Sequence, residues 1–489
     1  MGFDFDILCI GLGPAGMAVS IMGSAMGLKV GAIEAHKIGG ECMNVGCIPS
    51  KGLLQIAKHR AAFDKLPAMG MAAVAKPEVL DPFGTISGHI KYINDEKTKR
   101  MFDKVELIMG HRATFAGPRT LDVGGRKLTA RKIFLCAGTR PALPAIPGLD
   151  NLDVLTNETM FSLEKVPKSL LVIGSGAIAS EMAQAFARLG SEVTVVMRGP
   201  RLLHREDPDA AALLHEAFER DGIRILTGRT MEAAEKRDGH VALQTAQDGW
   251  LTAERLLSAT GRRYALADMN LAAAGIEHDA SQGVKVDKYL RTTNRHVFAC
   301  GDVNGHAQLS HAAMHQGMLA LMNAMLPWRM RRDFRKYVVP WTVFTEPQYS
   351  FVGLNETQLK ERGIKYETIR INYGDYGAAI AEGIPDGFLK VFASPAGRIY
   401  GAYVIGEGSG EMINEWGLAI QKKLRLSDVM FLQHSFPSMS FLNKRVAEQW
   451  MMTRMQSDFL KRMATWVFRR GRGAPGGAVG APPAVPADV

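Results

Sequence analysis

The sequence predicts an α/β fold: two Rossmann-like units in succession, followed by an α+β unit. Two observations carry this. A short apolar strand, Asp4–Ile10, runs into Gly11-Leu12-Gly13-Pro14-Ala15-Gly16 and then an apolar helical stretch ending at Gly27. The same order of strand, glycine turn and helix recurs as Ser169–Ile173, Gly174-Ser175-Gly176-Ala177-Ile178-Ala179 and Ser180–Leu189. This spacing aims backbone amides out of a helix N-terminus, the arrangement that receives the pyrophosphate of a dinucleotide. Length is the third observation: 489 residues suffice for about two to four domains.

Composition narrows the setting. No run of about 18 uncharged apolar residues exists, so no transmembrane helix is expected. Residues 1–16 already read as strand and glycine loop, so no signal peptide is expected, and Met-Gly-Phe-Asp-Phe-Asp lacks the Ser/Thr of a myristoylation site. A cytoplasmic protein is expected. The formal charge of +10 suits anionic cofactors, nucleic acid or a membrane surface. No nucleic-acid motif accompanies it, so nucleic acid is not an expected partner. Five cysteines, at 9, 42, 47, 136 and 300, make no disulfide framework.

In the first unit, Gly11 makes the turn, Gly13 lets the backbone approach pyrophosphate, and Gly16 lets the helix pack on the sheet. The strand Lys29–Ile33 ends at Glu34, an acid placed to accept both ribose hydroxyls. Next comes Gly39-Gly40-Glu41-Cys42-Met43-Asn44-Val45-Gly46-Cys47-Ile48-Pro49-Ser50-Lys51. In an ideal α-helix Cα42 and Cα47 would lie about 8.6 Å apart, whereas a disulfide tolerates less than about 7 Å. If these thiols bond, residues 42–47 are not regular helix, and Gly46 supplies the freedom to wind tighter. A short-loop pair of this kind points to redox or metal chemistry rather than a structural staple. Residues 52–67 read as a helix with Leu53, Leu54, Ile56 and Ala57 on its apolar side, and residues 68–130 as alternating helix and short strands. The apolar strand Lys132–Gly138 contains Cys136, an expected buried, inert thiol.

In the second unit, the strand Glu192–Val196 is followed by Met197, where an NAD-binding acid would sit, and then by Arg198, Arg201 and Arg205. The missing acid and the nearby arginines suit a 2′-phosphate better than a free 2′-hydroxyl, which favours NADPH over NADH. The unit closes at Ser258-Ala259-Thr260-Gly261-Arg262-Arg263, and His296–Asp302 adds a strand. Residues 308–326 read as an apolar helix whose Met314, Met318, Met322 and Met325 are expected to form a core stripe rather than a soft-metal track. His311 and His315 lie four apart on it but lack a third ligand, so no resident metal is expected. Over 452–467, Met452, Met455, Phe459, Met463 and Trp466 share one helical face and Arg454, Asp458, Lys461 and Arg462 the other, with Arg469, Arg470 and Arg472 following. Such a helix suits anionic lipid or packing on its own dimer. Residues 471–489 are Gly/Ala/Pro-rich and expected to be disordered.

Taken together, the two fingerprints, the Cys-x4-Cys stretch, Gly301-Asp302, Val339-Pro340-Trp341-Thr342-Val343-Phe344-Thr345-Glu346-Pro347 and the segment 401–411 resemble the class I pyridine nucleotide–disulfide oxidoreductases, mercuric reductase and dihydrolipoyl dehydrogenase among them. The match runs from residue 4 to about residue 450. The resemblance implies FAD on the first fold, touched by Gly11, Gly13, Gly16, Glu34, Lys51, Ala113, Gly138 and Asp302. It implies NADP(H) or NAD(H) on the second, touched by Gly174, Gly176, Ala179, Glu181, Arg198, Arg205 and Gly261. Cys42 would be the outer, substrate-facing thiol and Cys47 the one against the flavin. Hydride would pass from nicotinamide to FAD and electrons on to the disulfide. The implied division is an FAD-binding domain at 1–155 and 271–337, an NAD(P)-binding domain at 156–270 and a dimerisation domain at 338–450, with a basic amphipathic helix at 451–470 and a tail at 471–489. A homodimer is implied.

One departure bears on the acceptor. The family carries His immediately before a Pro, and Glu five residues after that His. Here Phe436 and Phe441 hold those positions, and neither can move a proton. His434 lies two residues off and is expected to point elsewhere. Asn443-Lys444-Arg445-Val446-Ala447 also looks like mercuric reductases, yet their C-terminal cysteine pair is missing, since the last cysteine is Cys300. The sequence therefore points to a mercuric-reductase-like flavoprotein that reduces a metal ion, a disulfide or a small oxidant. The alternatives are a dihydrolipoyl dehydrogenase-like enzyme and a membrane-associated redox sensor with little turnover.

Overall fold

The structure is a computed structural model and describes residues 2–469. Its first sheet is built around Phe5–Ile10, which runs parallel to Val30–Glu34 on one side and to Arg126–Leu135 on the other. The strand is apolar because both faces are covered. Ile7 and Cys9 share a core with Val19, Leu319 and Ala320, while Phe5, Leu8 and Ile10 share another with Leu121, Leu271 and Val297. The long strand Arg126–Leu135 serves twice. Its start pairs antiparallel with Thr120–Val123, and its end pairs parallel with Phe5–Ile10 and with Val297–Ala299. The chain thus leaves this sheet, builds a second one, and returns to it.

The second sheet is four-stranded and parallel, in the order Arg224–Leu226, Glu192–Val196, Ser169–Ile173, Arg255–Ser258. A three-stranded antiparallel sheet, Met231–Arg237, His240–Thr245 and Gly249–Ala253, is inserted before its last strand. The third unit is a five-stranded antiparallel sheet in the order Trp341–Val343, Tyr349–Gly353, Ile399–Ile405, Phe388–Ala393, Glu367–Asn372. Helices Ser409–Lys422 and Phe441–Met455 share its core through Trp416, Leu442 and Val446. Two Rossmann-like units and an α+β unit are what the sequence predicts.

Three expectations need correction. The methionine stripe is not core: Met314, Met318 and Met325 are exposed. The helix Ser310–Met325 packs through its opposite side, where a Cβ on Gly317 would lie 2.4 Å from the Ala15 carbonyl oxygen. Small residues let the two helices touch backbone to backbone, which turns the long side chains outward. The segment 71–81 is almost wholly exposed and carries no regular structure, where helix or strand was expected. The helix expected over 452–467 is interrupted: one helix ends at Met455, and the next begins at Asp458. The tail 471–489, with Arg470 and Arg472, lies outside the described residues. None of the described helices is long and apolar enough to cross a membrane.

A buried ion cluster ties the second unit to the third. Lys390 Nζ lies 2.8 and 3.0 Å from the two Asp207 carboxylate oxygens and 2.7 Å from Asp209. Asp207 also caps the helix Pro208–Arg220, accepting from the Asp209 and Ala210 amides at 3.1 and 3.3 Å. Removing one partner of such a buried pair strands the other charge. Lys390→Met is therefore expected to cost about 3–5 kcal/mol, read as a lower urea midpoint, and adding Asp207→Asn to it should recover part of the loss.

Candidate active site

The cysteine stretch folds as two helices with a break between them. Gly40–Asn44 is one and Cys47–Ala61 the other, and Val45 and Gly46 leave helical geometry between them. A Cβ on Gly46 would sit 2.9 Å from the Glu41 carbonyl oxygen and 3.3 Å from the Cys42 Cα. Glycine here lets the chain turn back on Cys42 and brings the two sulfurs together. Both thiols are unbonded in this structure.

The two sulfurs are unequal. Cys47 is drawn down to about 6, first by the hydrogen bond from the Cys42 thiol, then by Ser310 and the Lys51 ammonium, against the penalty of burial. Ser310 Oγ lies 3.1 Å from the Cys47 sulfur. Cys42 is pushed well up by giving its hydrogen to Cys47 and by burial. Cys47 is also the first residue of its helix, where the macrodipole favours an anion. The opposite shifts favour the shared proton on Cys42 and the negative charge on Cys47.

Lys51, one turn on from Cys47, forms a 2.9 Å ion pair with Glu181. Glu181 stands in the helix Ala177–Leu189 of the second unit, so this contact links the two fingerprints. Its other oxygen accepts from the Phe344 amide at 3.0 Å, and Lys51 lies 4.3 Å from the Phe344 ring centre.

A cavity of about 1340 Å³ runs past all of these groups. Its lining includes Gly11, Gly13, Glu34, Ala113, Gly138, Asp302, both cysteines and Lys51, and on the far side Gly176, Glu181 and Gly261. A Cβ on Gly11 would meet the Cys136 carbonyl oxygen at 2.5 Å, and one on Gly16 would meet the Gly11 oxygen at 1.9 Å. Nothing stands within 4 Å of a Cβ on Gly13 or Gly176. Bare backbone at a helix N-terminus thus faces the cavity twice. Glu34 is oriented by the Leu12 and His36 amides, at 2.7 and 2.8 Å. Asp302 accepts from Thr139 at 3.2 Å and lies 3.7 Å from Arg262, and burial raises its carboxyl. Glu41, also raised by burial, pairs with Arg262 through one oxygen and leaves its other oxygen buried without a partner. Amides at two helix starts and an orphaned acceptor beside buried carboxylates fit a ligand that carries both phosphates and hydroxyls, as FAD does.

Not every predicted residue joins the cavity. Gly16, Gly174 and Ala179 lie behind its wall. Met197 is buried, and Arg198 and Arg205 are exposed on the loop after it, outside the lining. Arg201 turns inward to the His204 and Glu206 carbonyls, at 3.0 and 3.2 Å. His311 and His315 do not face a common metal. His311 bonds the Pro340 carbonyl at 2.7 Å, and His315 packs edge-on against Tyr337. Among the described residues no three metal-binding side chains converge. Phe436 and Phe441 pack with each other and with Tyr376 outside this cavity, and Phe436 is 71 % exposed. His434 pairs with Glu415 at 3.0 Å. Sequence reasoning missed Ser310, Phe344 and the Glu41–Arg262 pair.

Ser310→Ala removes one of the groups that lower Cys47, so its pKa should rise from about 6 by about one to two units, the worth of a hydrogen bond to a charged group. Thiolate absorbance against pH in native and variant protein measures this.

Comparisons with known proteins give the family. The pattern of the family described as "Pyridine nucleotide-disulphide oxidoreductase" matches residues 5–317, and that of its dimerisation domain matches residues 339–445. A mercuric reductase of Bacillus cereus is 34 % identical over 436 residues, covering 87 % of this chain and 68 % of that protein. A dihydrolipoyl dehydrogenase of Thermus scotoductus is 34 % identical over 447 residues, covering 89 % and 95 %. Among solved structures, the HOCl-induced flavoprotein disulfide reductase RclA from Escherichia coli superposes with a TM-score of 0.82 at 25 % identity, over 92 % of this chain and all of that one. The chain belongs to the pyridine nucleotide–disulfide oxidoreductases, an FAD-dependent flavoprotein family that uses a pyridine nucleotide.

Proposed function

We propose that the protein is an NADPH-dependent reductase that works through the Cys42–Cys47 dithiol and delivers electrons to a soft metal ion, a disulfide or a small oxidant. The observation that carries this reading is the unequal sulfur pair set between two nucleotide-type glycine turns, in a chain that lacks the family's proton-moving pair. FAD, when bound, supplies two-electron chemistry between the pyridine nucleotide and the sulfurs. Gly11, Gly13, Glu34, Ala113, Gly138 and Asp302 would hold it, with Gly16 packing the helix beneath, and Lys51 would stand beside it. Gly174, Gly176, Ala179, Glu181 and Gly261 would serve the nucleotide, with Arg198 and Arg205 reaching its 2′-phosphate.

The chain's own groups divide the remaining work. Cys47 is held as the thiolate by Cys42, Ser310 and Lys51. Cys42 keeps its proton, and closing the disulfide releases that proton and two electrons. The reduced pair offers two sulfur ligands to a soft cation. Phe436 can shape the mouth of a cysteine site only across an interface, because it lies outside its own chain's cavity. A homodimer supplies that interface, and the dimerisation domain supports one. We place the enzyme in the cytoplasm, where a pyridine-nucleotide pool exists, in contact with a membrane surface through residues 451–470.

Dithiol oxidation needs a base, and a positioned base contributes about 10²–10⁴-fold. Turnover of dihydrolipoamide is therefore expected to be poor. Hg(II), Cu(II), glutathione disulfide and a quinone, assayed beside it, should identify the better acceptor, and Phe436→His/Phe441→Glu should raise dihydrolipoamide turnover. Native turnover equal to that of a dedicated dehydrogenase would sink the reading. So would a long-wavelength absorption band on two-electron reduction that persists unchanged in Cys47→Ser. If no acceptor turns over while the dithiol still cycles, the sensor reading takes its place.

For the nucleotide, Met197→Glu would bury a charge, so the arginines give the cleaner test. Losing one charged hydrogen bond to a phosphate costs about 1.5–3 kcal/mol. Arg198→Ala should lower kcat/KM for NADPH by roughly 10- to 150-fold and leave NADH nearly untouched. Equal use of both nucleotides by the native protein would refute the preference.

A further inference from the structure

The helix Asp458–Arg469 lies beyond residue 445, where the match to the family's dimerisation domain ends. It is set off from the preceding helix by Gln456 and Ser457. At 12 residues it is about 18 Å long, too short to span a bilayer, which takes about 20 residues. Phe459, Met463, Trp466 and Val467 fall on one side of it at helical spacing and are 74, 46, 59 and 53 % exposed. A globular protein seldom leaves four large apolar side chains together on one helix face. Lys461 and Arg462 are exposed on the same helix. From Asp458 to Arg472 the sequence carries five cations and one acid. Phe468 lies on the opposite side and takes no part.

We infer that this helix lies in the plane of an anionic bilayer surface, with Phe459, Met463, Trp466 and Val467 in the acyl boundary and its cations at the headgroups. This deepens the membrane contact proposed above and does not depend on which acceptor the cysteines serve. Charge decides between the occupants. A second copy of the helix would bring Lys461, Arg462 and Arg469 against the same three cations, whereas acidic headgroups neutralise them. The segment is thus built for a charged lipid surface rather than for itself.

The test uses the full chain with bound FAD and vesicles of phosphatidylglycerol in phosphatidylcholine, or of phosphatidylcholine alone. Native protein is expected to pellet with the acidic vesicles at low salt, to be released at high salt, and to ignore neutral vesicles. Phe459→Ser/Met463→Ser/Trp466→Ser should bind the acidic vesicles at least tenfold more weakly and keep native NADPH oxidation with the best acceptor. A second variant, Lys461→Gln/Arg462→Gln, should bind less and lose part of its salt dependence while the apolar face stays intact. Equal pelleting of native and triple-variant protein would overturn the inference. So would failure of native protein to bind acidic vesicles, or a fall in solution mass on substitution without any vesicle binding, which would assign the face to a second copy. If binding is lost while NADPH oxidation persists, the helix alone is responsible. If oxidation fails in the native protein but vesicles still bind, the catalytic reading falls and this one stands.

Discussion

The approach of Gly46 to Glu41 and Cys42 is the constraint on which the site depends. A continuous helix would hold the two cysteines about 8.6 Å apart. The break at Val45 and Gly46 closes that gap and also starts a fresh helix at Cys47. Two consequences follow from one turn. Cys47 gains the favourable end of a helix dipole, and Lys51 is carried onto the side of the helix that faces the sulfurs, since residues four apart share a face. Lys51 then meets Glu181 in the second unit. A side chain on Gly46 would push Cys42 away and loosen the hydrogen bond that makes the sulfurs unequal.

Much of the fold was legible because its signals are local. A strand, a glycine turn and a helix are consecutive, and their spacing survives any packing. Helix geometry demands a break between Cys42 and Cys47 only if their thiols are to bond, and the break is there with both thiols free. What escaped was set by distant parts of the chain. Ser310 is 263 residues from Cys47, and nothing near either residue announces the other. Glu41 stands next to Cys42 in plain view, but its meaning depends on Arg262, 221 residues on. The methionines of Ser310–Met325 keep a core-like spacing, yet Gly317 against Ala15 decides which side of that helix is buried. Met197 stands at the strand end where the sequence offers no acid, and it is buried. That the buried Met197 leaves Arg198 as the outward-facing residue is a matter of strand register that composition does not reveal.

Two carboxylates of the cavity, Glu41 and Asp302, share one cation. Arg262 stands between Glu41 and Asp302, and burial raises both acids. With one guanidinium for two buried acids, the arrangement leaves acceptor capacity unmet, which is costly in a low-dielectric wall. Hydroxyl donors on a bound ligand would relieve it. Phosphates would not, and they are better met at Gly13 and Gly176, where amides rather than carboxylates face the cavity.

Aromatic packing fixes the segment near the C-terminus where Phe436 and Phe441 stand. Phe441 stacks on Tyr376 with nearly parallel rings, and Phe436 meets both edge-on. The nearest histidine, His434, has an almost buried side chain held by Glu415, and Asn443 holds the same carboxylate at 2.8 Å while accepting from Trp416 at 2.8 Å. To move two residues along the chain, His434 would have to give up its hydrogen bond to Glu415. Close to the sulfurs, the asymmetry that remains is the one within the pair: Cys47 is lowered by Cys42, Ser310 and Lys51, and Cys42 is raised by Cys47 and burial.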